Sequence, residues 1–352
     1  MAVRLDAPPT AQLTQVAAFA HQVTGVTVAE DGRTFVNFPR WTEDAPVSVA
    51  ELKADGSLAP YPDAEWNRWR NAKKNEISGA DHWVCVQSVV ADGRGSVWVL
   101  DPAAPATAAI VPGAAKLVRV DLASDTVAQV ILLDDAVAPN GSYMNDVRFS
   151  PDGRRAYVTD SGGQGALVVV DIPAGTARRL LAAHPSVQAE QDVVVTVDGK
   201  AVRRPDGRGV EFASDGIALS PDGRYLYWQA TTGRTLYRIA TEALHDAALA
   251  PDALAGRVER VGTTHVADGL WMTPDGRLYV TAPEQYAVTR REDDGRMTTV
   301  VQDPRLRWAD TLSQGPDGAL YVTASHIPDM TWYDPDQGPR LETALFKFTP
   351  AA

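Results

Sequence analysis

Ser214-Asp215-Gly216-Ile217-Ala218-Leu219-Ser220-Pro221-Asp222-Gly223-Arg224-Tyr225-Leu226-Tyr227 sets an acidic residue before a short apolar strand, a Pro-Asp-Gly turn and a second strand ending in an aromatic. Asn145 to Tyr157 repeats it as NDVRFSPDGRRAY, Asp268 to Tyr279 as DGLWMTPDGRLY, and Asp310 to Tyr321 as DTLSQGPDGALY. In each copy the leading Asn or Asp stands eight residues before the turn glycine, which is Gly153, Gly223, Gly276 or Gly318. A fixed offset of this kind means one structural unit copied around an axis or along a line.

Two degraded copies precede these. Glu30-Asp31-Gly32-Arg33 turns between Val26-Thr27-Val28 and Thr34-Phe35-Val36, with Thr24 in the place of the Asp. The next turns at Asp92-Gly93-Arg94-Gly95, and counting back eight leaves the marked position open between Cys85, Val86 and Gln87. Six copies, each followed by further short strands and Gly- or Asp-rich turns, predict an all-β, six-bladed β-propeller. It is expected to be one domain over residues 1–352, with innermost strands beginning near 24, 86, 145, 215, 268 and 310. An open sandwich or two smaller barrels is the alternative. Leu13 to Phe19 is expected to join the last blade beside Ala344 to Phe348, closing the ring and removing two edges. Residues 1–12 read as an extended arm and 62–83 as a loop with one helical turn. Residues 193–204 read as an inserted hairpin turning on Asp198-Gly199, and 241–254 as a short helix.

The composition, 45% hydrophobic and 22% charged over 352 residues, is that of a globular protein. A net charge of -12, with no basic run to offset it, argues against nucleic acid as a partner. No apolar span reaches membrane-crossing length, so no membrane partner is expected. The single cysteine, Cys85, excludes an intramolecular disulfide and any Cys-rich metal site, and its apolar neighbours mark it as a buried thiol. MAVRLDAPPT lacks the regions of a secretory signal, so a cytoplasmic location is expected, or a periplasmic or secreted one had a leader been removed. A monomer or small homo-oligomer acting on a small molecule is the expected form.

In a propeller the innermost strands line a central channel, and their starting residues open onto one end of it. Asn145, Asp215, Asp268 and Asp310 hold that position in four successive blades. Three carboxylates and an amide oxygen are hard ligands, suited to Ca²⁺, Mg²⁺ or Mn²⁺, with Zn²⁺ a lesser candidate. Without a cation they repel one another, and at least one pKa rises. Asp152, Asp222, Asp275 and Asp317 belong instead to the turns. Of the six histidines, His265 and His326 are the best placed to reach the mouth, and Tyr143, Trp271 and Trp308 are candidate pocket walls. No GxSxG, P-loop, dinucleotide fingerprint or HExxH occurs, which counts against serine hydrolases of that class, nucleotide enzymes and zincins.

Phe35-Val36-Asn37-Phe38-Pro39-Arg40-Trp41 resembles the Phe-Val-x-x-Pro-Arg-Trp segment of the major royal jelly protein and Yellow family. So do Ser96 to Asp101, Ala156 to Ser161, Trp308 to Leu312 and Leu320 to Ser325, in order. That resemblance implies the six-bladed fold, and relatives that convert dopachrome or bind biogenic amines. A more distant resemblance, to the gluconolactonase and regucalcin family, rests on MNDVRFSPDG and SDGIALSPDG. It implies that Asn145 and Asp215 ligate a divalent cation, with Ca²⁺ the first candidate. The family's first-blade Glu does not carry over, since Thr24-Gly25 stands in its place, and Asp268 or Asp310 is the candidate replacement.

Two functions follow as expectations. One is a metal-dependent hydrolase of a lactone or similar cyclic ester, with Asn145, Asp215 and Asp268 on the metal, Asp215 as general base, and Asp310, Tyr143, Trp271, Trp308, His265 and His326 around the substrate. The other is a binding protein or isomerase for small aromatic or amine compounds, in which carboxylates meet an ammonium and aromatic faces stack on its ring. A scaffold for protein partners is the third possibility.

Overall fold

Alternating apolar residues and tight turns give each copy a four-stranded antiparallel sheet, and there are six such sheets. The computed structural model describes residues 9–107 and 109–351. Most of the arm expected over 1–12 therefore lies outside the described residues. The innermost strands are Val26–Val28, Ser88–Ala91, Met144–Phe149, Ser214–Leu219, Leu270–Met272 and Ala309–Gln314. Each packs against the next, and the last packs against the first, so the sheets form a closed ring of blades. The protein is a six-bladed β-propeller.

Closure uses both ends of the chain. Thr14–Phe19 pairs antiparallel with Thr343–Phe348, Thr14 opposite Lys347 and Phe19 opposite Thr343, and so supplies the outer strand of blade six. Burial falls from axis to rim. Met144–Phe149 is buried along nearly its whole length, whereas the outermost strand Thr126–Leu132 alternates towards solvent. Between blades the faces interlock through apolar residues. Trp98, Leu117, Val147, Val158 and Val168 join blades two and three, and Tyr157, Leu167, Ile217, Leu226 and Trp228 join three and four.

The Pro-Asp-Gly aspartates do the work their turn position implies. Asp152 accepts hydrogen bonds from Ser150 Oγ (2.6 Å) and the Arg154 amide (3.0 Å), and Asp222 repeats this with Ser220 and Arg224. Gly153 and Gly223 follow at φ 69° and 71°, where a side chain would be strained. The inserted hairpin is present, Thr196–Val197 against Lys200–Ala201 across Asp198-Gly199. Residues 241–254 form two short helices, Thr241–His245 and Pro251–Ala255, where the sequence suggested one. Pro251 cannot continue a preceding helix but suits the first turn of a new one. In 62–83 the helical turn is the 3-10 segment Asn71–Lys73.

Candidate functional site

The repeat's leading residue owes its direction to a β-bulge. In blade three Met144 pairs with Asp160 and Val147 with Val158, so Asn145 and Asp146 together face Thr159. Asp215-Gly216 in blade four and Asp310-Thr311 in blade six are bulged in the same way. A bulge bends the strand and re-aims its side chains, here towards the channel. In blades three and six the freed amides are met by a threonine of the adjoining strand, and a threonine meets the corresponding amides of blade five. Thr159 Oγ1 accepts from Asp146 N (3.3 Å), Thr281 Oγ1 from Asp268 N (3.0 Å) and Gly269 N (2.9 Å), and Thr323 Oγ1 from Thr311 N (3.1 Å). Thr159 and Thr323 also donate to the mouth of the next blade, at the Asp215 carbonyl and the Thr24 carbonyl, both at 2.6 Å. Gly216 and Gly269 are required by close approach. A Cβ there would lie 2.6 Å from the Asp268 carbonyl oxygen and 2.1 Å from that of Asp310.

Asn145, Asp215, Asp268 and Asp310 converge on one cavity of about 190 Å³ at this end of the channel. Gln87 lines it from blade two, which settles the open position among Cys85, Val86 and Gln87. Asn145 Nδ2 donates to Asp215 Oδ2 (2.7 Å) and to Ser161 Oγ (2.8 Å). Asp215 and Asp268 lie within hydrogen-bonding reach of each other. Burial, then the charges of Asp268 and Asp310, hold Asp215 well above the usual carboxylate range. Burial and Asp268 do the same to Asp310. Burial lifts Asp268 to about 6 against the hydrogen bond from Trp308 Nε1 (2.5 Å). No lysine or arginine is among the described residues that line the cavity. Beyond the acids, Asp146 accepts from Ser88 Oγ (2.8 Å) and from Arg148 Nη1 (2.9 Å), and Arg148 Nη2 reaches the Leu270 carbonyl (2.9 Å) in blade five. Arg148 thus bars the channel between the acids and its far end.

The walls come from loops. Trp41, Tyr143, Phe212, Ile327 and Trp332 line the cavity, and Trp41 packs at tilted ring angles between Tyr143 (6.3 Å) and Trp332 (5.8 Å). Two carboxylates hold the entry to blades two and three. Asp101, paired with Lys116 at 3.0 Å, accepts from the Val84 (2.7 Å) and Cys85 (3.0 Å) amides. Asp160, paired with Arg179 at 2.6 Å, accepts from the Tyr143 amide (2.6 Å). Arg40 is wholly buried and donates to the Ala45 and Val84 carbonyls, which fixes the neighbouring Trp41. Cys85 is buried 3.8 Å from the Tyr143 hydroxyl, and burial pushes its thiol up to about 12.

The other expected wall and ligand residues fall elsewhere. Trp271 lines hollows at the opposite end, beside Pro274 and under Arg148, whose guanidinium lies 5.6 Å from its ring centre. Three residues along an inward strand are enough to carry it past the acids. Trp308 is buried and touches the site only through its bond to Asp268. His265 is buried, with neither ring nitrogen partnered among the described residues, and burial lowers its pKa to about 4. His326 pairs with Asp329 (3.2 Å) beside Arg307, away from the cavity. Trp41 and Ser161 close the Pro-Arg-Trp and Ala156–Ser161 segments quoted above, so their signal was in the motif. Phe212 and Trp332 lie in long connections with no repeat to mark them.

Among the described residues, no three His, Cys, Asp or Glu side chains converge at metal-holding spacing. The donor chemistry nevertheless fits a hard cation. Asp215, Asp268 and Asp310 offer oxygen alone, and Asn145, whose Nδ2 donates to Asp215 and Ser161, has no partner on Oδ1 among the described residues.

A ring of six blades with an acid floor and aromatic walls at one mouth defines a propeller with a cavity at one end of its channel. The chain belongs to the major royal jelly protein family, whose sequence pattern its residues 84–339 match. No curated protein matches it significantly. Among solved structures it is similar to a gluconolactonase from Xanthomonas campestris, at 15% identity over 99% of this chain and 91% of that one, with a TM-score of 0.57. It is also similar to the calcium-binding protein regucalcin from Agrobacterium tumefaciens, at 16% identity over 96% and 94%, with a TM-score of 0.54. Virginiamycin B lyase from Staphylococcus aureus aligns at 13% identity over 97% and 100%, with a TM-score of 0.52. At these identities the likeness is one of fold. No helix among the described residues is long and apolar enough to cross a membrane.

Proposed function

We propose that the protein is a hydrolase of small lactones or similar cyclic esters whose acid pocket works with a divalent cation, Ca²⁺ first among the candidates. The observation that carries this reading is the convergence of Asn145, Asp215, Asp268 and Asp310 on one cavity with no basic side chain to neutralise them. Asn145 Oδ1, Asp215 and Asp268 would hold the cation, and Asp310 supplies the charge that the absent first-blade Glu does not. A cation bound there supplies Lewis-acid polarisation of a carbonyl and a more acidic water. Asp215, ionised beside the cation, would take the proton of the attacking water as general base. Trp41, Tyr143, Phe212 and Trp332 exclude bulk water and orient a small ring. A gluconolactonase and regucalcin share the fold, which supports the reading.

The test is hydrolysis of a small aldonolactone followed by proton release, before and after chelation. Activity lost on chelation, regained with Ca²⁺, Mg²⁺ or Mn²⁺, and absent in Asp215→Asn is the expected result. Turnover indifferent to chelator would sink the metal, and no turnover by metal-loaded protein would sink the hydrolase.

A second reading is favoured by the walls themselves. Acids beneath aromatic faces also suit an aromatic amine, bound through its ammonium and its ring. Calorimetry with catechol amines separates the two. Binding that needs no metal and disappears in Asp268→Asn would favour the amine.

A further inference from the structure

We infer that Gln87 is the pocket's carbonyl-binding donor, its amide turned nitrogen-inward by a hydrogen-bond relay from Trp41 through Tyr143. This deepens the hydrolase reading and rests on it for the substrate class. The argument is one of donor and acceptor parity. An indole nitrogen can only donate, so in the 2.6 Å contact of Trp41 Nε1 with Tyr143 Oη the phenol is the acceptor. The phenol's own hydrogen must then go elsewhere, and of its two neighbours the Gln87 amide at 3.0 Å is nearer, and offers a stronger acceptor, than the Cys85 sulfur at 3.8 Å. That hydrogen needs an acceptor, so the amide atom facing Tyr143 is Oε1. The Nε2 hydrogens of Gln87 are left over. No acceptor meets them among the described residues, and Gln87 lines the cavity.

Asn145, in the next blade, is set the opposite way. Both Nδ2 hydrogens are used, on Asp215 (2.7 Å) and on Ser161 (2.8 Å), so it offers Oδ1 to the cavity. Two amides of opposite polarity thus line one small space. Asp215, Asp268 and Asp310 occupy the rest of its floor. A ligand that satisfies all of them carries an acceptor oxygen towards blade two and a cation or proton donor towards blades four to six. A ring ester presents its carbonyl oxygen in that way. A simple amine has nothing to offer Gln87. Ser161, which accepts from Asn145, keeps a hydroxyl hydrogen and is the competing donor on the other side.

Two probes of equal ring size separate these roles, 2-piperidone with a carbonyl that does not hydrolyse, and piperidinium with a charge and no carbonyl. Dissociation constants are read by ligand-observed NMR at pH 7 for the wild type and for Gln87→Leu, Gln87→Glu, Tyr143→Phe and Ser161→Ala, each checked for native circular dichroism. Gln87→Leu should weaken 2-piperidone about tenfold, the worth of one well-placed neutral hydrogen bond, and leave piperidinium unchanged. Gln87→Glu should weaken it at least as much, since a carboxylate only accepts. Tyr143→Phe frees the amide to turn and should give a smaller loss. Equal 2-piperidone affinity in wild type and Gln87→Leu overturns the inference, as does a loss confined to Ser161→Ala or a wild type that does not bind the lactam. A wild type that binds 2-piperidone through Gln87 yet hydrolyses no lactone rejects the hydrolase and leaves the donor assignment standing.

Discussion

Asp268 receives a hydrogen bond from Trp308 on one side and faces Asp215 on the other, so its environment shows what each neighbour contributes. Trp308→Phe keeps the ring but removes the donor. The Asp268 carboxyl should then rise above about 6, and the fold should lose on the order of 1–3 kcal/mol, measured by urea unfolding. The pH dependence has a definite sign. Asp215, Asp268 and Asp310 sit above the unfolded carboxylate value of about 3.9, so without a cation the native protein binds more protons than the unfolded chain. What they contribute is fully present below about pH 4 and is lost as pH rises through about 6 and beyond. His265 opposes this, since its depressed value makes the unfolded chain the better proton binder between about 4 and 6.5. Comparing Asp310→Asn with wild type cancels the histidine. In chelator at pH 8 the variant should be the more stable by about 1–3 kcal/mol, and the difference should vanish near pH 4 or with saturating divalent cation. A variant that is never the more stable would mean that the carboxylates do not repel.

At the scale of the element, bulge, threonine and glycine form one device. Thr159→Val keeps the shape of the side chain but leaves the Asp146 amide and the Asp215 carbonyl without their partner. A loss of about 1–3 kcal/mol is expected, with the Asn145–Asp215 pair displaced. Gly269→Ala should cost more than the corresponding change at exposed Gly338, where a Cβ would meet nothing. At position 269 the obstacle is the backbone of the next blade, which cannot step aside. Thermal melts of the two variants compare them directly. Much of this device is legible in the sequence. The eight-residue offset marks Asn145, Asp215, Asp268 and Asp310, and Val-Thr recurs at Val158-Thr159, Val280-Thr281 and Val322-Thr323. The offset is ambiguous only in blade two, where Gly93 and Gly95 both take positive φ and counting back eight reaches Cys85 from one and Gln87 from the other.

Across the whole molecule, legibility follows symmetry. The ring, its closure by Thr14–Phe19 and the acid floor follow the repeat and can be read from it; of the aromatic roof Tyr143, beside the repeat's leading residue, and Trp41, in its motif, carry a signal, and the rest does not repeat. Phe212 and Trp332 stand on connections that differ from blade to blade, held by contacts such as Arg204 over the Trp332 ring at 5.2 Å. Trp271 was misplaced because a strand's periodicity fixes which face a residue takes and not which end of the channel it reaches. Closure carries its own prediction. Deleting residues 1–19 leaves Thr343–Phe348 as an open edge, and the truncated chain should self-associate, read by light scattering. Cys85 adds a different possibility. As the chain's one thiol, buried where blade two meets the pocket wall, it can react only when that region opens. Alkylation by a small reagent therefore acts as an internal clock, silent in the native ring and ticking at the rate of opening. A ligand that closes the pocket should slow that clock, so occupancy can be timed without knowing what the ligand becomes.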